Sequence, residues 1–248
     1  MNLVIDIGNT RVKYGVFDNY TLVKTGIAEK ADISFFRMIF QKFKIKAIIF
    51  SSVAHVNKSA LAFAQKYCRV HYLNHLTPLP LKNKYRTPQT LGTDRLANAA
   101  GAAWLFKGRN CLIIDAGTCI KYDFVSEKGH YMGGAISPGV AMRYQALHHF
   151  TKRLPLVKPD ISVPLTGNTT DSSINSGVIH GAKAEVKQII AQYKSQYKRL
   201  KTVVTGGDAS LFVNIAKSYI FAAPDLTLTG LNHILNYNKS VTDKKVNA

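Results

Sequence analysis

A glycine-containing turn occurs twice in this 248-residue chain, and the repetition strongly constrains its fold. The first copy reads Asp-Ile-Gly-Asn-Thr-Arg-Val-Lys-Tyr from residue 6, and the second reads Asp-Ala-Gly-Thr-Cys-Ile-Lys-Tyr from residue 115. An apolar run precedes each copy and an apolar–polar mixture follows it, which predicts a strand, a tight turn and a second strand. The shared order of Asp, Gly, Thr, Lys and Tyr indicates a duplicated fold in which two hairpins can face one another.

Turns of this composition suit a polyphosphate. Glycine lets backbone N–H groups approach phosphate oxygens, threonine or asparagine adds a neutral donor, and an aspartate at the end of a strand can hold hydrated Mg²⁺. Neither GxxxxGK[ST] nor GxGxxG occurs, and each turn leads into a strand, which excludes a Walker loop and a Rossmann fingerprint. One copy alone is equally consistent with an ordinary hairpin, whereas two matching copies favour a nucleotide clamp.

The composition, 46% apolar, predicts a globular chain that can bury a full core in one large or two small domains. No apolar stretch approaches the length of a membrane span, and the first residues lack a basic signal region. We therefore expect a cytoplasmic protein with no membrane partner. The three cysteines lack CxxC spacing and lie in or beside apolar segments, which favours buried reduced thiols over disulfides or a zinc site.

The chain is strongly basic, because 33 Lys and Arg residues outnumber 14 Asp and Glu residues and give a formal charge of +19. The cations are spread along the chain, and no recognised nucleic-acid motif accompanies them. We interpret them as solvated helix faces and loops, with steering of anionic ligands as the alternative, and expect no specific nucleic-acid partner.

The pattern of apolar residues predicts the element order βββαβαβ in the first half and the same order with an inserted helix in the second. The predicted domains are residues 1–92 and 93–248, with a disordered polar tail from residue 239. A long helix is predicted over 176–197. The proline-bearing segments 76–90 and 154–169 resist regular structure, and we expect them to be substrate loops.

A candidate catalytic aspartate opens a helix near the middle of the chain. Leu91-Gly92-Thr93-Asp94-Arg95 precedes apolar positions with a helical period, which places Asp94 in the first turn. In one interpretation Thr93 or Asp94 is only an N-cap. In the other, the helix start and Arg95 gather an anionic substrate while Asp94 accepts a hydroxyl proton. Phosphoryl transfer suits a carboxylate in this role, because the alcohol loses its proton late in a loose transition state.

Further candidates follow in the second half. Asp115 is either a turn residue or an oxygen ligand for a cation beside the polyphosphate, and Thr118 is a candidate phosphate donor. The Val-Val-Thr-Gly-Gly-Asp run at 203–208 has paired glycines that permit a flat base to lie against the backbone, while Asp208 as a helix cap is the simpler alternative. The histidines show no metal-ligand spacing.

A set of motifs occurs in a fixed order along the chain: Asp6 to Lys13, Tyr85, Gly92 to Arg95, Asp115 to Thr118, Gly133 to Gly139, Asn168 to Thr170, Ser176-Gly177 and Thr205 to Gly207. This ordered set resembles the type III pantothenate kinases, members of the acetate and sugar kinase, Hsp70 and actin superfamily. The resemblance implies an α/β fold of two duplicated ribonuclease-H-like domains, the actin-like ATPase fold, with the active site in the cleft between them. It also implies ATP-dependent phosphorylation of pantothenate to 4-phosphopantothenate, the first step of coenzyme A biosynthesis.

The resemblance implies roles position by position. ATP would be bound by Asp6, Ile7, Gly8, Asn9, Thr10, Arg11, Val12, Lys13 and Thr118, with Asp6 near Mg²⁺ through water. Asp115 would bind a monovalent cation, K⁺ or NH₄⁺. Pantothenate would be contacted by Tyr85, Gly92, Thr93, Asp94, Arg95 and Thr170, with Asp94 as the catalytic base. Members are homodimers with the substrate site near the subunit interface, so Thr170 would be offered by the partner chain. Cys119 departs from the smaller apolar residue expected there, which affects packing at the phosphate site.

Two other function classes stay open on the sequence. A different small-molecule kinase of the same superfamily would keep both nucleotide turns without needing the Tyr85 and Gly92 to Arg95 pattern. A regulatory nucleic-acid-binding relative would suit the charge, but it would have little reason to retain Asp6, Asp94 and Asp115 together.

Overall fold

The computed structural model describes residues 1–8, 12–52, 56–216 and 220–246. The strands are β1 (Asn2–Ile7), β2 (Val12–Asp18), β3 (Thr21–Ala28), β4 (Ala47–Phe50), β5 (Arg69–Tyr72), β6 (Lys82–Asn83), β7 (Cys111–Ala116), β8 (Cys119–Val125), β9 (His130–Pro138), β10 (Lys201–Thr205) and β11 (Ile220–Ala222). The α-helices are α1 (Ile33–Lys42), α2 (Lys58–Gln65), α3 (Thr93–Leu105), α4 (Val140–His149), α5 (Thr170–Gln196), α6 (Ser210–Val213) and α7 (Leu226–Val246). Short 3-10 turns occupy Pro88–Thr90 and Asn214–Ala216.

The first sheet has the strand order β3-β2-β1-β4-β5. Neighbours among β1, β2 and β3 run antiparallel, whereas β4 and β5 continue parallel to β1. Phe36 of α1 and Ala60 of α2 join Leu3 and Ile5 of β1 in one buried cluster. The helix α7 also packs against β1 and β4. A strand that is covered by helices on both faces of its sheet has a nearly continuous run of apolar residues, as β1 and β4 have.

The second sheet repeats this order as β9-β8-β7-β10-β11. β7 and β8 are antiparallel, and β10 and β11 run parallel to β7, as in the first sheet. Along the chain, two helices, α4 and α5, connect β9 to β10, whereas α1 alone connects β3 to β4 in the first half. At the far edge, β6 pairs with the first residues of β9, His130 and Tyr131. The predicted duplication, including the inserted helix, is therefore confirmed.

The contacts divide the chain into two compact units that differ from the predicted division after residue 92. One unit comprises Met1–Lys107, Gly129–Tyr131 and Asp225–Ala248, and the other comprises Gly108–Lys128 and Met132–Pro224. Both α3 and α7 belong to the first unit, because glycines let the two helices cross closely. A Cβ atom added at Gly230 of α7 would lie 1.8 Å from the carbonyl oxygen of Ala97 in α3.

Two helix boundaries differ from the prediction. The helix α5 begins at Thr170 rather than at residue 176, because Thr169 and Ser172 form a capping box. The Ser172 N–H donates to Thr169 Oγ1 at 3.1 Å, and the Thr169 N–H donates to Ser172 Oγ at 2.9 Å. The helix α7 continues past residue 239 to Val246, where the sequence predicts disorder. Segment 154–169 carries no helix or strand, as predicted, whereas 76–90 holds β6 and a 3-10 turn.

The cysteine thiols are free, but only Cys111 is buried, whereas Cys68 and Cys119 are half-buried, which differs from the prediction of buried thiols. Burial raises the pKa of Cys68 to about 11 and that of Cys111 to about 12, so both stay protonated at neutral pH. Within the described ranges, the chain has no helix long and apolar enough to cross a membrane.

Candidate active site

The first glycine turn begins at an aspartate that a buried serine orients. Asp6 lies near the end of β1, and the Ser51 hydroxyl, just beyond the neighbouring strand β4, donates to its Oδ1 at 2.7 Å. The same hydroxyl accepts the Ile7 N–H at 3.1 Å, and Ser51 is only 2% exposed. Because β1 and β4 are parallel, both strands deliver these groups to the same sheet edge. The carboxylate is thus held in one orientation by a short, shielded contact.

The lysine of the first turn is joined to the start of α7. Lys13 lies opposite Asp6 in the β1–β2 register, and its Nζ is 3.2 Å from Oδ1 of Asp225. Asp225 immediately precedes α7, and its carbonyl accepts the Thr229 N–H, as a residue at a helix start does. Val12 begins β2. Asn9, Thr10 and Arg11 lie outside the described residues, so their predicted contacts with ATP stay predictions.

Three residues predicted to touch the substrate come together in the first unit. The guanidinium carbon of Arg95 lies 5.5 Å from the centre of the Tyr85 ring, and Arg95 is only 5% exposed. The Tyr85 ring in turn lies 6.2 Å from the buried ring of Tyr131. Asp94 precedes Arg95 on the first turn of α3. A cation, an aromatic ring and a carboxylate therefore share one short stretch of this unit.

The N-cap of α3 is Gly92, which has no side chain with which to cap the helix. Thr93 is the first helical residue and Asp94 the second, so the alternative that either is the N-cap is wrong. A Cβ atom added at Gly92 would lie 2.5 Å from Oδ1 of Asp94, which means that the carboxylate folds back over the glycine. The position of Asp94 therefore depends on the missing side chain of Gly92.

The second glycine turn repeats the aspartate–lysine pair. Asp115 and Lys121 face each other in the β7–β8 register, and the Lys121 Nζ lies 2.7 Å from Oδ2 of Asp115. The second oxygen of the Asp115 carboxylate lies close to Gly206, because a Cβ atom added at Gly206 would lie 2.7 Å from Oδ1 of Asp115. Gly206 also has a φ of +95°, a left-handed conformation that favours glycine. The first glycine of the 203–208 run thus gives the backbone room beside Asp115.

Thr118 occupies the exposed tip of the second hairpin, next to a glycine at the start of α4. The Gly139 N–H donates to the Thr118 carbonyl at 3.1 Å, and a Cβ atom at Gly139 would lie 2.1 Å from the Gly117 carbonyl oxygen. The turn therefore packs directly on the N-cap of α4. Asp208 is not a helix cap, because α6 begins after Ala209 and has no side-chain cap.

Thr170 is the first residue of α5 and is exposed, in the second compact unit. Its predicted substrate partners Tyr85 and Asp94 belong to the first unit. Among the described residues, no group of three or more His, Cys, Asp or Glu side chains is arranged to hold a metal ion.

The sequence did not single out several residues that orient the predicted site. Ser51 and Asp225 contact the first turn, and Glu185 forms a salt bridge with Arg143 near the second. Glu185 left a signal, because it lies on the same helical face as the apolar positions Val178, Ala182 and Ile189. A carboxylate on the apolar face of a long helix is expected to be partly buried, and a buried carboxylate needs a cation or hydrogen-bond donors as partners. No sequence pattern indicates the roles of Ser51 and Asp225, because the residues that they contact are far away in sequence.

Comparison with known proteins identifies the family. The family model for type III pantothenate kinase matches residues 2–192. A type III pantothenate kinase from Cytophaga hutchinsonii is 44% identical over 239 residues, which covers 96% of this chain and 100% of the relative. Another from Bacteroides fragilis is 43% identical and covers 96% of this chain and 98% of the relative. The chain belongs to the type III pantothenate kinase family.

Solved structures share the fold. A conserved Campylobacter jejuni protein assigned to the Baf family aligns with a TM-score of 0.63 at 23% identity, over 96% of this chain and 99% of that one. A ROK hexokinase from Thermus thermophilus aligns with a TM-score of 0.52 at 12% identity, over 94% of this chain and 97% of that one. These likenesses, with the two repeated sheets, confirm the predicted two-domain actin-like fold.

Proposed function

We propose that this chain phosphorylates the primary hydroxyl of pantothenate with ATP, giving 4-phosphopantothenate and ADP, the first step of coenzyme A biosynthesis. The observation that carries the proposal is the match to the type III pantothenate kinase family over residues 2–192. The Gly92 to Arg95 cluster and the two aspartate–lysine hairpins supply groups suited to that reaction. Family membership favours pantothenate over the sugars of other superfamily members.

Asp94 is the proposed base. As the pantothenate hydroxyl oxygen bonds to the γ-phosphorus and the bond to the bridging oxygen of ADP breaks, the hydroxyl proton passes to the Asp94 carboxylate. Arg95 and Tyr85 bind the substrate, and a shielded guanidinium against an aromatic ring suits the planar pantothenate carboxylate. Gly92, Thr93 and Thr170 complete the proposed substrate contacts.

ATP would be bound by the two hairpins, through residues 6–13 of the first and Thr118 of the second. Mg²⁺ would be held by Asp6 through water, where it would neutralise charge on the phosphate oxygens. The donor fits, because Mg²⁺ prefers hard oxygen ligands and keeps several waters. Ser51 supports this role by fixing the Asp6 carboxylate, which would hold the water ligands of Mg²⁺ in one orientation.

Asp115 is the proposed ligand for K⁺ or NH₄⁺. Its carboxylate oxygens are suitable, although Lys121 already contacts Oδ2 at 2.7 Å. A monovalent cation would therefore share a partly neutralised carboxylate, which favours weak binding over a dedicated cage.

A homodimer acting in the cytoplasm is the proposed assembly, with Thr170 offered across the subunit interface. The segment of the chain that connects α4 and α5 exposes large apolar side chains, which supports self-association. Phe150 is 82% exposed and Leu165 is 76% exposed. Sedimentation equilibrium of the wild type and of Phe150→Glu tests this assembly. A dimer that the charged variant weakens supports it, and a monomeric wild type contradicts it.

A coupled ADP-release assay tests the activity. Pantothenate should be phosphorylated in the presence of Mg²⁺ and K⁺, and acetate, glucose and other acids and sugars should give only background ADP release. Identification of 4-phosphopantothenate by mass spectrometry confirms the product. Faster turnover of a sugar would favour another kinase of the superfamily, and no turnover of any acceptor would contradict the proposal.

A further inference from the structure

Glu185 of α5 joins three other elements of the second unit. The Tyr122 hydroxyl of β8 donates to its Oε1 at 2.7 Å, and the Ser137 hydroxyl of β9 donates to its Oε2 at 3.1 Å. Arg143 of α4 donates from Nη2 to the same Oε2. One carboxylate thus connects two strands and two helices, and all four side chains are at least partly buried.

Arg143 extends this network to the segment before α4. Its Nη2 also donates to Ser137 Oγ at 3.0 Å, and its Nε donates to the Pro138 carbonyl at 2.9 Å. The planar guanidinium therefore holds two successive residues at once, which the single ammonium of a lysine cannot do in the same geometry. The next residue is Gly139, the N-cap of α4.

Gly139 transmits this constraint to the second glycine turn. It donates its N–H to the Thr118 carbonyl, and its missing side chain lets it approach the carbonyl oxygens of Gly117 and Thr118. A shift of the segment from Ser137 to Gly139 would therefore move Thr118 or break its backbone contact.

The protonation states suit a stable network. Burial alone would raise the pKa of Glu185, but hydrogen bonds from Arg143, Tyr122 and Ser137 lower the pKa below its ordinary value. Burial, followed by the hydrogen bond to Glu185, raises the pKa of Tyr122. At neutral pH the carboxylate is thus charged and the phenol is a donor, as the contacts require.

We propose that Glu185 and Arg143 are positioning residues for ATP binding, because they hold the Ser137 to Gly139 segment against the turn that presents Thr118. This inference rests on the proposed function, which assigns Thr118 to ATP. Neither side chain needs to touch the nucleotide. Because the pair acts on the turn that presents Thr118, its loss should lower the affinity for ATP and change the affinity for pantothenate little.

The experiment compares Glu185→Gln and Arg143→Lys with a matched control in the same two helices. Tyr144→Phe removes the hydrogen bond from Tyr144 of α4 to Asn175 Oδ1 of α5, a buried contact that involves neither Glu185 nor Arg143. ATP affinity is measured by calorimetry with Mg²⁺ and without pantothenate, and KM values are measured for both substrates. Melting temperatures report stability for all variants.

We expect Glu185→Gln to weaken ATP binding about tenfold, since it removes a charged hydrogen-bond partner, and to leave the pantothenate KM nearly unchanged. Arg143→Lys should also weaken ATP binding, because a lysine cannot hold Ser137 and Pro138 together, and Tyr144→Phe should lower the melting temperature without changing ATP affinity. If Glu185→Gln fails to fold, Arg143→Lys still tests the inference.

Unchanged ATP affinity in Glu185→Gln and Arg143→Lys would overturn the inference, as would losses that follow melting temperature equally in all variants. Failure of the proposed function is a separate result, because then the wild type itself would fail to phosphorylate pantothenate, whatever the two variants do to ATP affinity.

Discussion

At the scale of single residues, Asp94 is distinguished by its surroundings rather than by its place in a helix. Asp171 is also the second residue of its helix, but α5 has a side-chain N-cap and α3 has only Gly92. The Asp94 carboxylate lies over that glycine, next to the shielded Arg95. These contacts support a chemical role for Asp94, whereas the same residue type in α5 needs only its interaction with the helix dipole.

Asp94→Asn should keep the fold and ATP binding but lower kcat by about 10² to 10⁴, because an amide cannot take the proton. Steady-state kinetics and ATP calorimetry check this result. Asp171→Asn removes the same charge from the same helical position and controls for the effect on melting temperature. An Asp94→Asn enzyme with half the wild-type kcat would remove Asp94 from the role of base.

Gly92→Ala should displace the Asp94 carboxylate without changing the backbone conformation. Gly92 has φ −57° and ψ 132°, which alanine adopts readily, but the new Cβ would lie 2.5 Å from Oδ1 of Asp94. We expect kcat to fall by up to about 100-fold, as for a misplaced catalytic group, with little change in melting temperature. Wild-type kcat in this variant would show that the observed position of Asp94 is not the one used in catalysis.

Asp115→Ala should weaken activation by K⁺, since the second turn loses its charged oxygen ligand. Activity is measured against K⁺ concentration, with tetramethylammonium chloride keeping the ionic strength constant. Melting temperature must be followed too, because the variant also removes the 2.7 Å ion pair to Lys121. Full wild-type activity in tetramethylammonium alone would contradict the monovalent-cation proposal.

At the scale of elements, the pair α3 and α7 connects the proposed base with Lys13 of the first glycine turn. Asp225, just before α7, pairs with Lys13 of the turn, and α7 crosses α3 at Gly230 and Gly101. The crossing is close, because a Cβ at Gly101 would meet the Leu226 carbonyl oxygen at 2.7 Å. Lys13 and the start of α3 are thus held within one compact unit.

Gly230→Ala should destabilise the protein by about 1–3 kcal/mol, since an added methyl group forces the two helices apart. Gly181→Ala is the control: Gly181 is also helical, but a Cβ there meets no atom within 4 Å. That change should stabilise α5 by up to about 1 kcal/mol through helix propensity. Thermal unfolding measures both, and equal effects of the two substitutions would contradict the close crossing.

At the scale of the whole molecule, the charge of +19 bears on the choice between a metabolite and a nucleic acid as the partner. Binding through dispersed lysines depends on counterion release, whereas binding by a few oriented donors at short range is less sensitive to salt. Duplex DNA should therefore bind weakly, without sequence preference, and lose affinity sharply between about 50 and 200 mM salt. Pantothenate phosphorylation should persist over the same range.

Fluorescence anisotropy with two unrelated DNA duplexes, alongside the kinase assay at each salt concentration, measures both quantities. Tight, sequence-selective binding at the higher salt concentration without kinase activity would instead favour a regulatory protein.

Much of the fold was predictable because its determinants are local. The order βββαβαβ follows from runs of apolar residues and their periods, and the duplication follows from two turns with the same residue order. The start of α5 was missed because its cap uses Thr169 and Ser172 instead of a glutamine or glutamate. The assignment of α7 to the first compact unit was not predictable, since it depends on a helix crossing between residues far apart in sequence.

The sequence by itself determined the family and marked the candidate residues: two Asp–Lys hairpins and a Gly-Thr-Asp-Arg helix start, within a chain whose resemblance to one kinase family the comparisons confirm. Only the tertiary structure decided what orients them. Ser51 reaches Asp6 because β4 pairs beside β1, and Gly139 meets the Gly117–Thr118 turn because α4 starts there. Such contacts join residues distant in sequence, and no local pattern records them, because a hydrogen bond constrains geometry and leaves the spacing along the chain free.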